Sequence, residues 1–310
     1  MTQRTAAPAI DPAARAKLTA RAAIASVSMA LFLLAAKSWA VFETGSVAML
    51  GSLADTALDV LASVITLLGV RWAAIPADEE HRFGHGKAEA LAALVQVILI
   101  TLSALGIAWR SIQRFSSNEG TTGFESGAVV SLAAMAATIL LLWYQRLVIR
   151  RTGSVAIATD NVHYKSDLLL NFSVIAALGL DQLLGWKMAD PVFGLLIAGW
   201  LMFGAWNAAS HSVDQLMDRE WDDEARARLI ELIRSHPELH GIHELRTRRS
   251  GGHDFVQFHI SVDAGSSLVE AHRVMDEVEN VIKGEFPGTE VLIHPDPRGL
   301  AEPGQNMISE

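Results

Sequence analysis

Two carboxylates stand four residues apart inside an apolar run, in Asp55-Thr56-Ala57-Leu58-Asp59 within residues 46–75. On a helix they share one face, roughly 6 Å apart along the axis. Each Asp at the centre of a bilayer helix costs on the order of 2.5–3.5 kcal/mol. Two on one stripe also repel unless a proton or a cation lies between them. A matching pair follows downstream in His163-Tyr164-Lys165-Ser166-Asp167, again at i and i+4. Three carboxylates and an imidazole can close a four-ligand site for a divalent metal. Two more histidine clusters stand outside the apolar runs. One is Asp78-Glu79-Glu80-His81-Arg82-Phe83-Gly84-His85-Gly86-Lys87; the other is His243, His259, His272, His294 and Asp296. His294 and Asp296, two apart on an extended segment, point to one side. Four imidazoles and a carboxylate on one small domain point to another divalent-metal site.

The elements that must position these groups follow from hydropathy. Of the 310 residues 51% are hydrophobic and 19% charged, and the mean hydropathy is +0.28. That is a membrane protein with a soluble part. Cysteine is absent, which excludes disulfides, thiolate zinc sites and cysteine catalysis. From Asp214 onward there are 20 acidic and 10 basic residues, against 14 and 15 before it. An acidic tail argues against nucleic-acid binding and suits the attraction of cations.

Residues 1–12 read as a mobile tail, with no signal-peptide pattern. Apolar spans follow at about 22–42, 46–75, 88–115, 124–149, 160–184 and 189–213, each near or above the roughly 20 residues a bilayer needs. Gly45-Ser46, Pro76, Asn118-Glu119-Gly120, Thr152-Gly153 and Asp190-Pro191 mark the breaks. Lys and Arg set the orientation. Arg4, Arg15, Lys17, Arg21, Arg71, Arg82, Lys87, Arg146, Arg150, Arg151 and Lys165 fall on one side; Arg110, Arg114 and Lys187 fall on the other. This puts both termini in the cytoplasm. Trp39, Trp72, Trp109, Trp143 and Trp186 fall near span ends as interfacial aromatics, while Trp200 and Trp206 are read as core.

After Asp218 a small soluble domain is expected. Asp222-Asp223-Glu224 opens a helix that ends before Pro237. Residues 242–249 pair with an alternating strand, 256–262, across Gly251-Gly252. Ser267-Leu268-Val269-Glu270 is a capping box opening a second helix, and Pro287-Gly288 leads into a last strand at 290–294. The order is α-β-β-α-β, a ferredoxin-like α+β domain. The expected division is 13–213 for six transmembrane helices, 214–298 for the cytoplasmic metal-binding and dimerisation domain, and 299–310 for a tail with no assigned role.

Taken together, these residues resemble the cation diffusion facilitator family, most closely its bacterial zinc and iron efflux members. The likeness rests on Asp55/Asp59, on His81-Arg82-Phe83-Gly84-His85-Gly86-Lys87-Ala88-Glu89, on His163 with Asp167, and on His294-Pro295-Asp296-Pro297. It implies a homodimer in the inner membrane that exports Zn²⁺, with Cd²⁺ and Fe²⁺ as further cargoes, in exchange for protons. Asp55, Asp59, His163 and Asp167 match a transport site; Asp78, His81 and His85 match a loop site. His243, His259, His272, His294 and Asp296 match a binuclear site at the domain–domain contact, with Asp296 bridging. Lys87 and Asp218 match a salt bridge between span 3 and the tail. Zn²⁺ is thus implied both as cargo and as a structural or regulatory ion. Two departures stand out. No long histidine-rich loop joins spans 4 and 5, and Asp55 stands where strictly zinc-selecting animal members carry His.

Two rival readings come from other classes. A membrane metalloenzyme needs an open metal position and a general base; no His-Glu-x-x-His motif and no Ser or Cys nucleophile constellation is present. A metal-binding membrane sensor or scaffold that does not transport shares every ligand with a transporter, and metal flux into sealed vesicles separates the two.

Overall fold

The computed structural model describes residues 10–44, 47–117, 128–186, 188–239 and 241–299. Residues 1–9 with Arg4, the breaks at Gly45-Ser46 and Asn118-Glu119-Gly120, Lys187 and residues 300–310 lie outside them.

Six long helices come first: α1 (Pro12–Thr44), α2 (Val47–Ala73), α3 (Ala88–Ser117), α4 (Ala128–Thr152), α5 (Val155–Leu184) and α6 (Ala189–Leu216). Among the described residues, parts of α1, α2, α3 and α6 are long and apolar enough to cross a membrane by length and composition. Helix α5 carries Asp160, Lys165 and Asp167 and owes its place to packing, lying against each of the other five.

Burial in the bundle is inverted relative to a soluble core. Small residues are inside, among them Ala22, Ala23, Ala30, Ala62, Ala90 and Ala93, while Phe32, Leu68, Leu102, Leu140 and Phe203 face outward. Lipid tails are as apolar as Leu, so helices associate through close backbone approach at small side chains and through polar contacts. Trp39, Trp72, Trp109, Trp143 and Trp186 are exposed as expected of interfacial aromatics. The core reading of Trp206 is corrected: it is 74% exposed, and Trp200 is 39% exposed. Hydropathy alone does not separate a lipid-facing ring from a packed one.

The cytoplasmic domain follows as α7 (Asp223–Arg234), β1 (Ile242–Ser250), β2 (His253–Val262), α8 (Leu268–Glu285) and β3 (Thr289–Pro297). Strands run in the order β1-β2-β3. β1 and β2 form an antiparallel hairpin, and β3 returns parallel to β2 after the α8 crossover. Asp222 caps α7 through the Ala225 amide, and Ser267 and Glu270 form the expected capping box of α8. Leu229, Ile233, Val256, Phe258, Ile260, Val274, Val278 and Ile282 make one core.

The hairpin tip rests on the loop between α2 and α3. A Cβ added at Gly86 would lie 2.3 Å from the Ser250 carbonyl oxygen, and one added at Gly251 (φ +60°) would lie 2.8 Å from the Gly86 Cα. Only glycine permits this backbone contact. Around it Phe83 meets Phe255 edge-on at 6.0 Å, and the Arg248 guanidinium lies over both rings at 4.7 and 4.5 Å. Lys87 Nζ is 3.0 Å from Asp218 Oδ1 and donates to the Leu216 carbonyl. Gly86→Ala is therefore expected to destabilise the protein by about 1–3 kcal/mol, as overpacking does, and to speed amide exchange across 248–255. Unchanged exchange there would mean that the hairpin does not rest on the loop.

Candidate metal centres

The first centre lies within the bundle. The i, i+4 spacing puts His163 and Asp167 on one face of α5, turned toward Asp59 on α2. His163 Nε2 is 3.0 Å from Asp59 Oδ1 and 3.9 Å from Asp167 Oδ2. Ligand atoms of the three lie within 4.8 Å of one another. His163 is buried and the two carboxylates are partly buried. One imidazole and two carboxylates carry formal charge −2, the donor types and charge a divalent zinc-like cation takes.

Asp55 departs from the expected four-ligand set. It shares the Asp59 side of α2, but its side chain is 62% exposed and its carboxylate lies 3.9 Å from Arg110 Nη1 on α3. The guanidinium offers Asp55 the cation that a neighbouring carboxylate cannot. Lys37 of α1 was also missed in the sequence; it donates to Thr56 Oγ1 at 2.6 Å and brings an ammonium to the same acidic stripe. The available signal was a lone Lys inside an apolar span, which is costly unless it has a partner.

The second centre is the α2–α3 loop. Asp78 Oδ1 accepts from the His81 and Glu80 amides at 2.6 and 3.0 Å. These bonds, the His81 amide foremost, hold the Asp78 carboxyl below its ordinary range. His85 Nε2 is 3.3 Å from Asp78 Oδ2, His81 Nδ1 is 3.5 Å from Oδ1, and the two rings are 4.5 Å apart. His85 Nδ1 faces the Ile75 carbonyl at 3.3 Å. A proton on that nitrogen leaves Nε2 free to ligate, a usual arrangement behind a metal-binding imidazole.

The third centre is built across the sheet. His243, His259 and His294 are lateral neighbours on β1, β2 and β3. A bulge in β1 between His243 and Arg246, with Glu244 at φ 50°, shifts the strand's parity. Ile242 and Leu245, three apart, both enter the core, and His243 joins the histidine row. Asp296 Oδ2 lies 2.8 Å from His243 Nε2 and 2.9 Å from His259 Nδ1. Its Oδ1 lies 3.3 Å from His294 Nε2. Burial opposes ionisation of Asp296, but the hydrogen bonds from His259 and His243 outweigh it and hold the carboxyl below its ordinary range. His272 is not gathered into this set: it is 69% exposed on α8 and faces Asp276 at 3.9 Å.

Asp59→Ala removes the α2 ligand that His163 meets. Metal binding in the bundle should fall to background while the protein still inserts and its cytoplasmic centre still binds, read by calorimetry on purified protein. Wild-type binding stoichiometry would sink the assignment.

Residues 23–217 match the family model described as the cation efflux transmembrane domain. Residues 221–298 match that of the cation efflux protein, cytoplasmic domain. The cation-efflux pump FieF of Escherichia coli O1:K1 / APEC is 43% identical over 295 residues, covering 94% of this chain and 98% of the relative. FieF of Klebsiella pneumoniae subsp. pneumoniae is 42% identical over 294 residues, covering 95% and 98%. Among solved structures, the zinc form of CzrB is 36% identical and covers 27% of this chain and 98% of that chain, with a TM-score of 0.25. With both parts matched in order and these relatives aligned almost end to end, the chain belongs to the cation efflux family and is a transmembrane metal-cation efflux transporter of the FieF type.

Proposed function

We propose that this chain exports divalent metal from the cytoplasm in exchange for protons, with Zn²⁺ as first cargo and Cd²⁺ and Fe²⁺ as further ones. The observation that carries the reading is the Asp59, His163 and Asp167 cluster, set between two helices of the bundle. Mixed carboxylate and imidazole donors suit Zn²⁺ without redox change. The same groups take up protons when metal leaves, because ligands must be deprotonated to bind. The transport ligands proposed are Asp59, His163 and Asp167, with Asp55 joining once released from Arg110.

In this reading residues 13–213 lie in the inner membrane with both termini cytoplasmic, and residues 214–298 form the dimerisation domain. Two copies then bring His272 of one protomer toward the histidine row of the other. The loop site of Asp78, His81 and His85 lies on the cytoplasmic side, beside the hairpin of that domain.

Purified protein in sealed vesicles tests the transport reading. Zn²⁺ should move against its gradient when a proton gradient is imposed, and movement should reverse when that gradient is reversed. Metal binding with no flux would favour the non-transporting sensor or scaffold. Dimerisation is tested separately. Metal that binds only the associated pair stabilises it by mass action, so Zn²⁺ should tighten self-association of fragment 214–310, and Asp296→Ala should weaken that response. Equal sedimentation with zinc and with chelator would overturn this role of the cytoplasmic centre.

A further inference from the structure

Helix α5 carries a second, deeper set of polar residues one turn before His163. Asp160 is 0% exposed. Its Oδ1 accepts from Gln96 Nε2 of α3 at 2.8 Å, and its Oδ2 accepts from Gln145 Nε2 of α4 at 2.7 Å. Gln145 Nε2 also donates to Ser26 Oγ of α1 at 2.9 Å, and Gln145 Oε1 accepts from Asn161 Nδ2 at 2.9 Å. One turn on, the Tyr164 hydroxyl donates to the Ser26 carbonyl at 2.8 Å and lies 2.9 Å from Ser63 Oγ of α2. Around this turn α5 is therefore tied to α1, α2, α3 and α4 by directional bonds.

We infer that Asp160, clamped by Gln96 and Gln145, is the positioning residue of the transport site, fixing the rotation and depth of α5 so that His163 and Asp167 meet Asp59. The inference rests on the transport reading above. Apolar packing between helices does not set rotation sharply, because small side chains allow neighbouring helices to slide and turn. A turn of α5 by about 20° would sweep a side-chain tip roughly 2 Å, whereas ligand distances tolerate about 0.2 Å. Bonds from a buried carboxylate to two neutral amides supply the missing angular constraint, and a half-satisfied set would be costly. Asp160 stands three residues before His163 and touches none of the three ligands by hydrogen bond; it acts through the helix.

The test separates the hydrogen bonds from the charge. Gln96 Oε1 has no hydrogen-bond partner among the described residues, so in Asp160→Asn the Gln96 amide can turn over and accept from the introduced amide nitrogen, while Gln145 Nε2 still donates to the amide oxygen. The clamp then survives and the charge is lost. Asp160→Leu fills a similar volume and removes both acceptors. In vesicles, Asp160→Leu should raise the apparent KM for Zn²⁺ by about 10- to 100-fold, the usual loss when a group supporting a metal ligand is removed. Asp160→Asn should keep KM within about threefold of wild type by the same arithmetic. A merely structural role lowers thermal stability and yield but leaves KM of the folded Asp160→Leu protein at the wild-type value; that result overturns the inference. So does a folded Asp160→Asn protein whose KM is raised as in Asp160→Leu. Should Asp160→Leu not fold, Asp160→Asn decides by itself: wild-type KM supports the clamp, a raised one refutes it. Absence of flux in the wild-type protein would instead remove the transport reading, not the clamp.

Discussion

Carboxylates within a hydrocarbon layer must be compensated, and this constraint organises the membrane part of the chain. Asp59 and Asp167 are compensated by His163, Asp55 by Arg110, and Asp160 by two side-chain amides. At the cytoplasmic end Arg15 and Glu89 pair at 3.1 Å with little exposure, and Arg15 Nε also donates to the Thr152 carbonyl at the end of α4. Apart from His163 with Asp167, each of these contacts joins different helices. These compensated charges therefore also dictate which helices are neighbours, and α5, which carries Asp160, His163 and Asp167, has to lie inside.

The cytoplasmic part obeys a different constraint. Its core of Leu, Ile, Val and Phe is sufficient for a small two-layer domain, and its metal ligands sit on the sheet face opposite that core. The histidine row depends on one inserted residue in β1. Removing it would return Ile242 to the outer face and turn His243 inward. Here a backbone irregularity, not an ion pair, brings the donors together.

Much of this was legible in the sequence. Apolar length gave the helices, the i, i+4 pairs gave the faces of α2 and α5, and alternation with Gly251-Gly252 gave the hairpin. What was not legible follows from the limits of those signals. Spacing fixes which residues share a face of one helix, as Asp55 and Asp59 do on α2, but not how far that helix is rotated against its neighbours, so the contact of Asp55 with Arg110 was not visible. Gln96, Gln145 and Asn161 read as ordinary polar interruptions, because nothing local shows that they converge on Asp160. Trp206 read as core because lipid and protein interior are equally apolar. His272 stands on α8 apart from the row within one protomer, and no sequence signal tells whether a site is completed within one chain or between two.

The glycine contact at Gly86 stands two residues before the foot of α3. From Ala88 that helix runs 30 residues without interruption, about 45 Å, and ends beyond Arg110 and Arg114. A rigid rod held at its base is a lever. A tilt of about 5° where the hairpin presses would displace Arg110, about 33 Å along, by roughly 3 Å, enough to break or close the 3.9 Å contact between Arg110 and Asp55. A small tilt at the glycine contact would thereby become ångströms toward the far end of α3, and the guanidinium beside Asp55 sits about three quarters of the way along that lever.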